Sequence, residues 1–273
     1  MGIRVQKLKV VHTLKVVQKL SRAHLTVVPD DRRQRARDKK REKILRAADS
    51  LIAEAGLGGI TMQRVAERLD CAVGTLYLYF PSKAALIAAL QGDAIDTLRA
   101  SFEVAVQTWD EYLTDSDLDD ELRALVKLTG FGAHWASASV VFADEFHLQR
   151  ALLTEKVTAA ATEEVRDALP VLDRLLANPE ALLRDATATG VLEDGDAHER
   201  ALVWIAALNG VLLLDHLAPL DRHLFRAPHL ARTLSQDLLT GWGADRVDVE
   251  VAAGHVERLA ALSPLAPPPS AEP

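Results

Sequence analysis

The segment TMQRVAERLDCAVGTLYLYFPSK, residues 61–83, decides the fold. Its spacing predicts two short helices joined by a tight turn near residues 70–72. The first helix carries an apolar face, formed by Val65, Ala66 and Leu69. On the second, Leu76 and Phe80 stand four residues apart and therefore share one face of the helix. We expect these apolar faces to be core.

The other side of the second helix has an unusual surface composition. Thr75, Leu78 and Tyr79 point away from the face formed by Leu76 and Phe80. A surface helix without a partner more usually carries Lys, Glu and Gln at such positions. The segment is therefore either an ordinary helical hairpin or a helix-turn-helix whose second helix lies in the major groove of DNA.

The flanking sequence is helical on both sides. Apolar residues at 3/4 spacing run through residues 44–52, and Gly56 is a natural stop after them. Thr61 is a good N-cap for the next helix, while Pro81 and Ser82 break the chain and begin a long one. Further helices are predicted over residues 118–137, 140–153, 155–169, 179–189, 197–217, 228–242 and 249–262. Since no turn signal separates alternating apolar runs, the predicted fold class is all-α.

The domain organisation follows from these elements. We predict a helix-turn-helix domain over residues 38–98, with its motif at 61–80, and a larger helical domain over residues 99–262. Residues 1–31 fit neither a helical nor a strand period, so they form a disordered basic leader or the true start lies downstream. Residues 263–273 are rich in Pro and Ala and are expected to form a disordered tail.

Charge is distributed unevenly along the chain. Through residue 45 there are fourteen basic and four acidic residues, although the whole chain has a net charge of −7. This asymmetry indicates either that the N-terminal end meets a polyanion or that it is simply a solvated charged run. A single cysteine, Cys71, fits a reducing cytoplasm. No apolar stretch was expected to approach the roughly 20 residues that span a membrane, so we expect a cytoplasmic protein.

The motif resembles that of the TetR/AcrR family of transcription regulators. The family pattern is a basic helix, a Thr or Ser cap, a short helix, a turn, G-x-[LI]-Y-x-[HY]-F and a capped Lys. This chain shows ILRAA at residues 44–48, Thr61, Val65 with Ala66, GTLYLYF at residues 74–80, and Ser82 with Lys83. The resemblance covers roughly residues 38–98, and it implies a sequence-specific DNA-binding regulator, more often a repressor.

Carried over residue by residue, the resemblance implies a set of DNA contacts. Thr61 and Lys83 are placed near phosphates, and Gln63 near a base edge, where its amide suits adenine N6 and N7. Thr75 and Leu78 face the groove, where a thymine methyl is a good apolar partner. The implied contacts are Thr61, Gln63, Thr75, Tyr77, Leu78, Tyr79 and Lys83.

The chain departs from the family pattern within the motif. Asp70 stands where the turn usually has Gly, and it tolerates the left-handed region at some cost. Ala72 stands where a Ser or Thr cap is common, so the second helix begins with less support. Val73 replaces a residue that is often polar. Cys71 is expected to be a small buried apolar residue, with redox sensing as the alternative.

The basic run RRQRAR, residues 32–37, comes just before the first helix of the motif. Two interpretations stay open for it. It is either an arm that follows the DNA backbone or enters the adjacent minor groove, or a flexible leader that keeps the chain soluble.

The resemblance also implies a dimer and an effector. In the family the last two principal helices pair with their copies in a four-helix bundle, which corresponds here to helices near residues 197–217 and 228–242. The run at residues 201–214 is apolar nearly all round and is expected to be buried on several sides. Alternatively, this helix pair is only the core of the monomer.

A small, largely apolar effector is the other partner implied, and six aromatic residues are candidates to line its pocket. The alternative is that they only fill the core, and a regulator without an inducer also stays possible. The candidates are Phe102, Trp109, Phe131, Trp135, Phe142 and Phe146.

An enzyme is the main rival class. No nucleophile elbow, phosphate loop, HExxH or CxxC motif is present in the sequence, so we expect no enzyme and no cofactor. His216, His223 and His229, helped by Asp215 or Asp221, would be the ligands of a metal-dependent alternative. Their spacings of seven and six residues match no usual zinc pattern. We therefore expect no metal site.

Overall fold

The computed structural model describes residues 30–154 and 162–265, and the side chains of residues 32–151 and 169–265. These residues form helices and connecting turns, with no strand among them. They divide into two compact units, which separate between Pro81 and Ser82. The predicted all-α fold class is therefore confirmed.

The described part of the first unit, residues 30–81, contains three α-helices. Helix α1 spans Asp30–Ala55, α2 spans Met62–Arg68 and α3 spans Val73–Tyr77. Gly56 ends α1 with φ 68°, a left-handed conformation that favours glycine, as the sequence predicts. A short 3-10 helix, Leu57–Gly59, connects α1 to α2.

The second unit is built around one central helix. Helix α4 spans Lys83–Thr114, α5 Asp120–Val141, α6 Ala143–Thr154 and α7 Thr162–Thr189. Helix α5 contacts every other described helix of the unit. Its aromatic and aliphatic side chains therefore form the middle of the core.

Four helices complete the second unit. Helix α8 spans Ala197–Leu213 and continues as a 3-10 turn to Leu217, α9 spans Ala227–Gly241, α10 Arg246–Gly254 and α11 Val256–Leu262. Asp196 and Asp245 cap α8 and α10 by accepting backbone N–H bonds.

Several predicted boundaries differ from the structure. The boundary after residue 98 falls inside α4, which is continuous. The helix predicted at 179–189 is the last part of α7, and the one at 249–262 is two helices. Residues 155–161, most of the leader and the end of the tail lie outside the described residues.

Helix α8 also corrects two expectations. It is buried on one side only, since Trp204, Ile205 and Leu208 are in the core while Leu202 and Val203 are exposed. With its 3-10 extension it is long and apolar enough, by length and composition alone, to span a membrane. Core helices of folded proteins pass the same test, and here the buried side faces the other helices of the unit.

Candidate nucleic-acid interface

The turn between α2 and α3 has the geometry of a Schellman motif. Cys71 N–H donates to the carbonyl of Ala66 at 3.0 Å, and Asp70 N–H donates to that of Glu67 at 3.2 Å. Asp70 has φ 47°, and it is the only residue other than glycine with positive φ in the described ranges. The expectation that aspartate would occupy the left-handed position of this turn is confirmed.

The helix starts differ in their support. Thr61 has extended backbone angles, and its hydroxyl accepts a hydrogen bond from the backbone N–H of Arg64 at 3.2 Å. Ala72 has no side chain that can cap α3, as the sequence predicts. Ser82 caps α4 by accepting from the N–H of Ala85 at 3.0 Å. Helix α3 therefore depends on packing more than on its own cap.

Side chains from all three helices form the core of the first unit. Leu76 and Phe80 are buried, as predicted, together with residues of α1 and α2. The buried residues of α1 and α2 include Ile44, Ala48, Leu51, Ile52, Met62, Val65 and Ala66. Helix α3 packs against α2, and its other face is exposed to solvent.

A bidentate ion pair connects α1 and α2 at the surface. The guanidinium of Arg68 donates to both carboxylate oxygens of Glu54, at 2.9 and 2.6 Å, and to the hydroxyl of Ser50 at 2.7 Å. These hydrogen bonds lower the pKa of the Glu54 carboxyl. The pair connects the two helices that precede α3 in the chain.

The predicted reading residues lie on and beside α3. Leu78 is 74% exposed and Tyr77 is 50% exposed, whereas Thr75 and Tyr79 are half-buried. Val73 is half-buried at the first position of α3. An exposed leucine and tyrosine beside a buried core form an apolar surface that water solvates poorly.

The other predicted contact residues precede or follow α3 in the sequence. Thr61 and Gln63 are exposed at the start of α2, where the amide of Gln63 donates to Glu67 at 3.2 Å. Lys83 is exposed at the first position of α4. Cys71 is half-buried, which differs from the fully buried position expected for it.

The basic run at residues 32–37 is helical, so it is not the flexible leader of the second interpretation, and its contact with DNA stays a prediction. It forms the first turns of α1, which begins at Asp30 and continues without interruption to Ala55. Its side chains are exposed. Sequence reasoning placed the helix start too late because the apolar 3/4 spacing begins only at Ile44.

The six aromatic residues predicted to line a pocket lie in the core of the second unit. All six are buried, and edge-to-face contacts join Phe102 to Phe131 at 4.9 Å and Trp135 to Phe146 at 4.8 Å between ring centroids. Phe102 and Trp109 each reach one of two cavities, while Phe131, Trp135, Phe142 and Phe146 line neither of these two.

The first cavity, here called the acidic groove, has a volume of about 830 Å³ and lies between α4 and α7. Five carboxylates line it and face one lysine, Lys127, which pairs with Asp110 at 2.5 Å. The acidic residues are Glu103, Asp110, Glu111, Asp115 and Asp185.

The second cavity, here called the inner cavity, has a volume of about 380 Å³ and is mostly apolar. Trp109, His134 and Ser137 line it from α4 and α5, and α9 and α11 close it. Burial lowers the pKa of the His134 imidazole to about 4, so the ring is neutral near pH 7. Its Nε2 lies 3.2 Å from the hydroxyl of Ser101.

His216, His223 and His229 are the histidines that the sequence offers as metal ligands. Among the described residues, no group of three or more His, Cys, Asp or Glu side chains comes together with the geometry to hold an ion.

Comparison with known proteins begins at the first unit. The family described as "Bacterial regulatory proteins, tetR family" matches residues 44–90. The HTH-type transcriptional repressor KstR of Rhodococcus jostii (strain RHA1) is 45% identical over 65 residues, which are 24% of this chain and 31% of that protein. KstR of Mycolicibacterium smegmatis is 39% identical over 70 residues, 26% of this chain and 34% of that one. The match thus spans about a third of these curated relatives.

Solved structures extend the likeness to the fold of most of the chain. RolR in complex with resorcinol has a TM-score of 0.54 at 19% identity, over 80% of this chain and 95% of RolR. FadR of Bacillus subtilis in complex with stearoyl-CoA has a TM-score of 0.52 at 16% identity, over 73% and 98% of the two chains. Residues 44–90 therefore match the tetR family of bacterial regulatory proteins, and the fold of most of the chain is similar to the folds of RolR and FadR.

Proposed function

We propose that this protein is a sequence-specific DNA-binding repressor that acts in the cytoplasm, binds a palindromic operator as a homodimer and is released by a small, largely apolar ligand. The observation that carries the proposal is the exposed face of α3. Leu78 and Tyr77 stand out from a well-packed three-helix core in the segment that matches the family. Apolar side chains are stabilised when a partner removes them from water. This face therefore favours a partner that offers methyl groups and sugar edges.

Within this proposal each exposed side chain has a role set by its chemistry. Leu78 and Thr75 contact thymine methyl groups, and the hydroxyls of Tyr77 and Tyr79 bind phosphates. Gln63 reads a base edge after giving up its hydrogen bond to Glu67, which is exposed and therefore weak. Thr61 and Lys83 add further phosphate contacts.

DNA selected from a random-sequence library by the full-length protein tests the proposal directly. We expect a palindromic consensus and a footprint centred on it. Tyr77→Ala should weaken binding to all sequences about equally, whereas Gln63→Ala should relax the preference at one base pair. Tyr77→Phe is the matched control, since it should weaken binding as much as Tyr77→Ala if the hydroxyl makes the contact. A selection that yields no preferred sequence would contradict the proposal.

The proposed dimer interface uses the exposed side of α8 together with α9. Residues at positions 202, 203, 206, 210 and 213 share one helical face and are exposed, and all are apolar or glycine. Ala206 and Gly210 permit a close approach of two helices. A two-fold dimer brings two copies of α3 to the two half-sites of a palindrome.

A bulky residue at Gly210 tests this interface without disturbing the monomer. A Cβ atom at Gly210 has no atom of this chain within 4 Å, so Gly210→Leu should fold normally. We expect it to sediment as a monomer and to lose cooperative operator binding. Gly254→Leu, which also adds a side chain in open space but on α10, is the matched control and should stay dimeric. A monomeric wild-type protein, or a dimeric Gly210→Leu variant, would contradict the interface.

The inner cavity is the proposed effector site. Its volume lies within the range of small-molecule sites. Its mostly apolar wall carries the neutral imidazole of His134, and the polar residues Ser137, Arg232, Glu257 and Ser263 also line it. The five carboxylates of the acidic groove would instead repel an anion and offer little apolar surface to an uncharged ligand. Two proteins of similar fold contain organic ligands, resorcinol in RolR and stearoyl-CoA in FadR. Extension of effector binding to this chain is our proposal.

A side chain that fills the inner cavity separates effector response from DNA binding. The Ala133→Phe variant should still bind the operator. Organic-solvent extracts that release the wild-type protein from the operator should no longer release this variant. Ala188→Phe adds the same side chain at an exposed position of α7 and should keep the response. If no extract releases the wild-type protein, a regulator without an inducer is favoured. If Ala133→Phe responds normally, the effector binds elsewhere.

The remaining alternative, a metal-dependent enzyme, has no supporting cluster of ligands in the described part of the chain. Metal analysis of the purified protein tests it, and stoichiometric bound zinc would favour it over the proposal.

A further inference from the structure

The first half of α1, residues 32–43, is a helical segment without a core of its own. It contains eight basic and two acidic residues. None of its side chains is buried, and burial begins only at Ile44. An exposed helix of this length with many like charges is unfavourable by itself, because the charges repel along the helix. A bound polyanion would remove that repulsion.

Its acidic residues are already engaged, whereas two arginines are not. Asp38 accepts from the amide of Gln34 at 2.8 Å, and Glu42 accepts from Arg46 at 2.6 Å. Arg33 and Arg37 have no hydrogen-bond or ion-pair partner from their side chains in the described part of the chain. Their charges are therefore available to an external anion.

One contact fixes where this basic face lies. Arg33, Arg37 and Arg41 are spaced four residues apart and share a helical face. The guanidinium carbon of Arg41 lies 5.3 Å from the centroid of the Phe80 ring. Phe80 directly follows Tyr79 in the chain. At 1.5 Å per residue, Arg37 and Arg33 lie roughly 6 and 12 Å further along the axis. The three arginines thus begin with Arg41 beside Phe80, next to the proposed DNA contact Tyr79, and continue along α1 away from it.

We propose that Arg33 and Arg37 bind backbone phosphates of the DNA that flanks the half-site contacted by α3. The spacing along α1 allows each guanidinium to meet a separate phosphate, since phosphates of one strand follow at about 3.4 Å of axial rise. These contacts add affinity and no sequence preference. The inference rests on the proposed function, because it requires that the same unit binds DNA.

The salt dependence of binding tests this role. The variant Arg33→Gln/Arg37→Gln is compared with wild type on the duplex selected by the wild-type protein, extended by random flanks. Loss of two phosphate contacts should reduce the slope of log K against log salt by about 1.8 for each bound subunit. The selected consensus should stay unchanged, and removal of the flanks from the duplex should abolish the difference between the two proteins.

A second double variant separates local contact from general charge. Arg32→Gln/Lys39→Gln removes the same charge from exposed positions that lie roughly 100–160° around the helix from Arg33 and Arg37. We expect a clearly smaller change in slope. An unchanged slope for Arg33→Gln/Arg37→Gln, or equal falls in both variants, would overturn the inference while the consensus stands. If selection yields no consensus, the proposed function fails. In that case the slope of log K against log salt is measured on random duplex, and equal slopes for the two double variants still overturn the inference.

Discussion

The indole N–H of Trp204 donates to the hydroxyl of Ser235 at 3.1 Å, across the buried contact between α8 and α9. Ser235 in turn donates to the carbonyl of Ala231 at 2.8 Å, so the buried polar atoms of this contact are satisfied. Gly132 of α5 leaves the room for it, since a Cβ there would lie 2.4 Å from the Ser235 oxygen. The two helices of the proposed dimer interface are therefore held together from the inner side.

Ser235→Ala should destabilise the second unit by about 1–3 kcal/mol, because it leaves the buried N–H of Trp204 without an acceptor. Urea unfolding at a fixed protein concentration measures this loss. Thr240→Ala is the control on the same helix, since the exposed Thr240 hydroxyl donates to the carbonyl of Gln236 at 2.9 Å. Its removal should cost less than about 0.5 kcal/mol. Equal losses would show that the Trp204 bond contributes nothing measurable.

Asp70→Gly should stabilise the first unit by about 0.5–1 kcal/mol, because glycine adopts φ 47° without the steric cost of a side chain. Thermal unfolding followed by circular dichroism checks the direction. Gly56→Asp makes the reverse change at φ 68°, where a Cβ meets no atom within 4 Å. It should therefore be destabilising through backbone strain alone. A destabilised Asp70→Gly protein would mean that the carboxylate itself supports the turn.

Ala72→Ser should give α3 the side-chain cap that it lacks, with a gain of about 1 kcal/mol. Thr61→Ala removes an existing cap from α2 and should lose a similar amount. Hydrogen exchange of the α3 amides would localise the gain. Unchanged protection of α3 in the Ala72→Ser protein would count against this prediction.

His134 should make stability depend on pH below neutrality. Its pKa falls from an ordinary 6.5 to about 4 on burial, so the unfolded chain binds the proton more readily between these values. Stability is complete above pH 6.5 and is lost as the pH falls toward 4, by about 2 kcal/mol at pH 5. His134→Gln should flatten this difference between pH 7.5 and pH 5 in urea unfolding, and His147→Gln, at an exposed position, should not. A wild-type pH dependence in His134→Gln would rule this residue out as the source.

The sequence predicts the first unit well because its signals are local. Gly56 marks the end of α1 through its backbone and Thr61 the start of α2 through its hydroxyl, and the structure places each at that point. Leu76 and Phe80 are both buried as predicted, although Phe80 lies after the end of α3. Which of the exposed residues touch bases stays a prediction, since that depends on a partner.

The second unit is less predictable because long-range packing overrides local signals there. Pro170 and Pro179 predict breaks, yet both lie inside α7. Burial of Val171, Leu175 and Leu183 against the core stabilises the continuous helix despite the lost hydrogen bonds. The clustered aromatics are similarly ambiguous in sequence, since core packing and a ligand pocket select the same residues.

The exposed side chain of Leu78 would make binding sensitive to methyl groups on the DNA bases. A leucine recognises the C5 methyl group of thymine, and 5-methylcytosine carries a methyl at the same position of the major groove. On the proposed reading surface, replacement of thymine by uracil therefore removes a contact, and cytosine methylation creates one. Operator occupancy would then respond to the methylation state of the chromosome as well as to the effector.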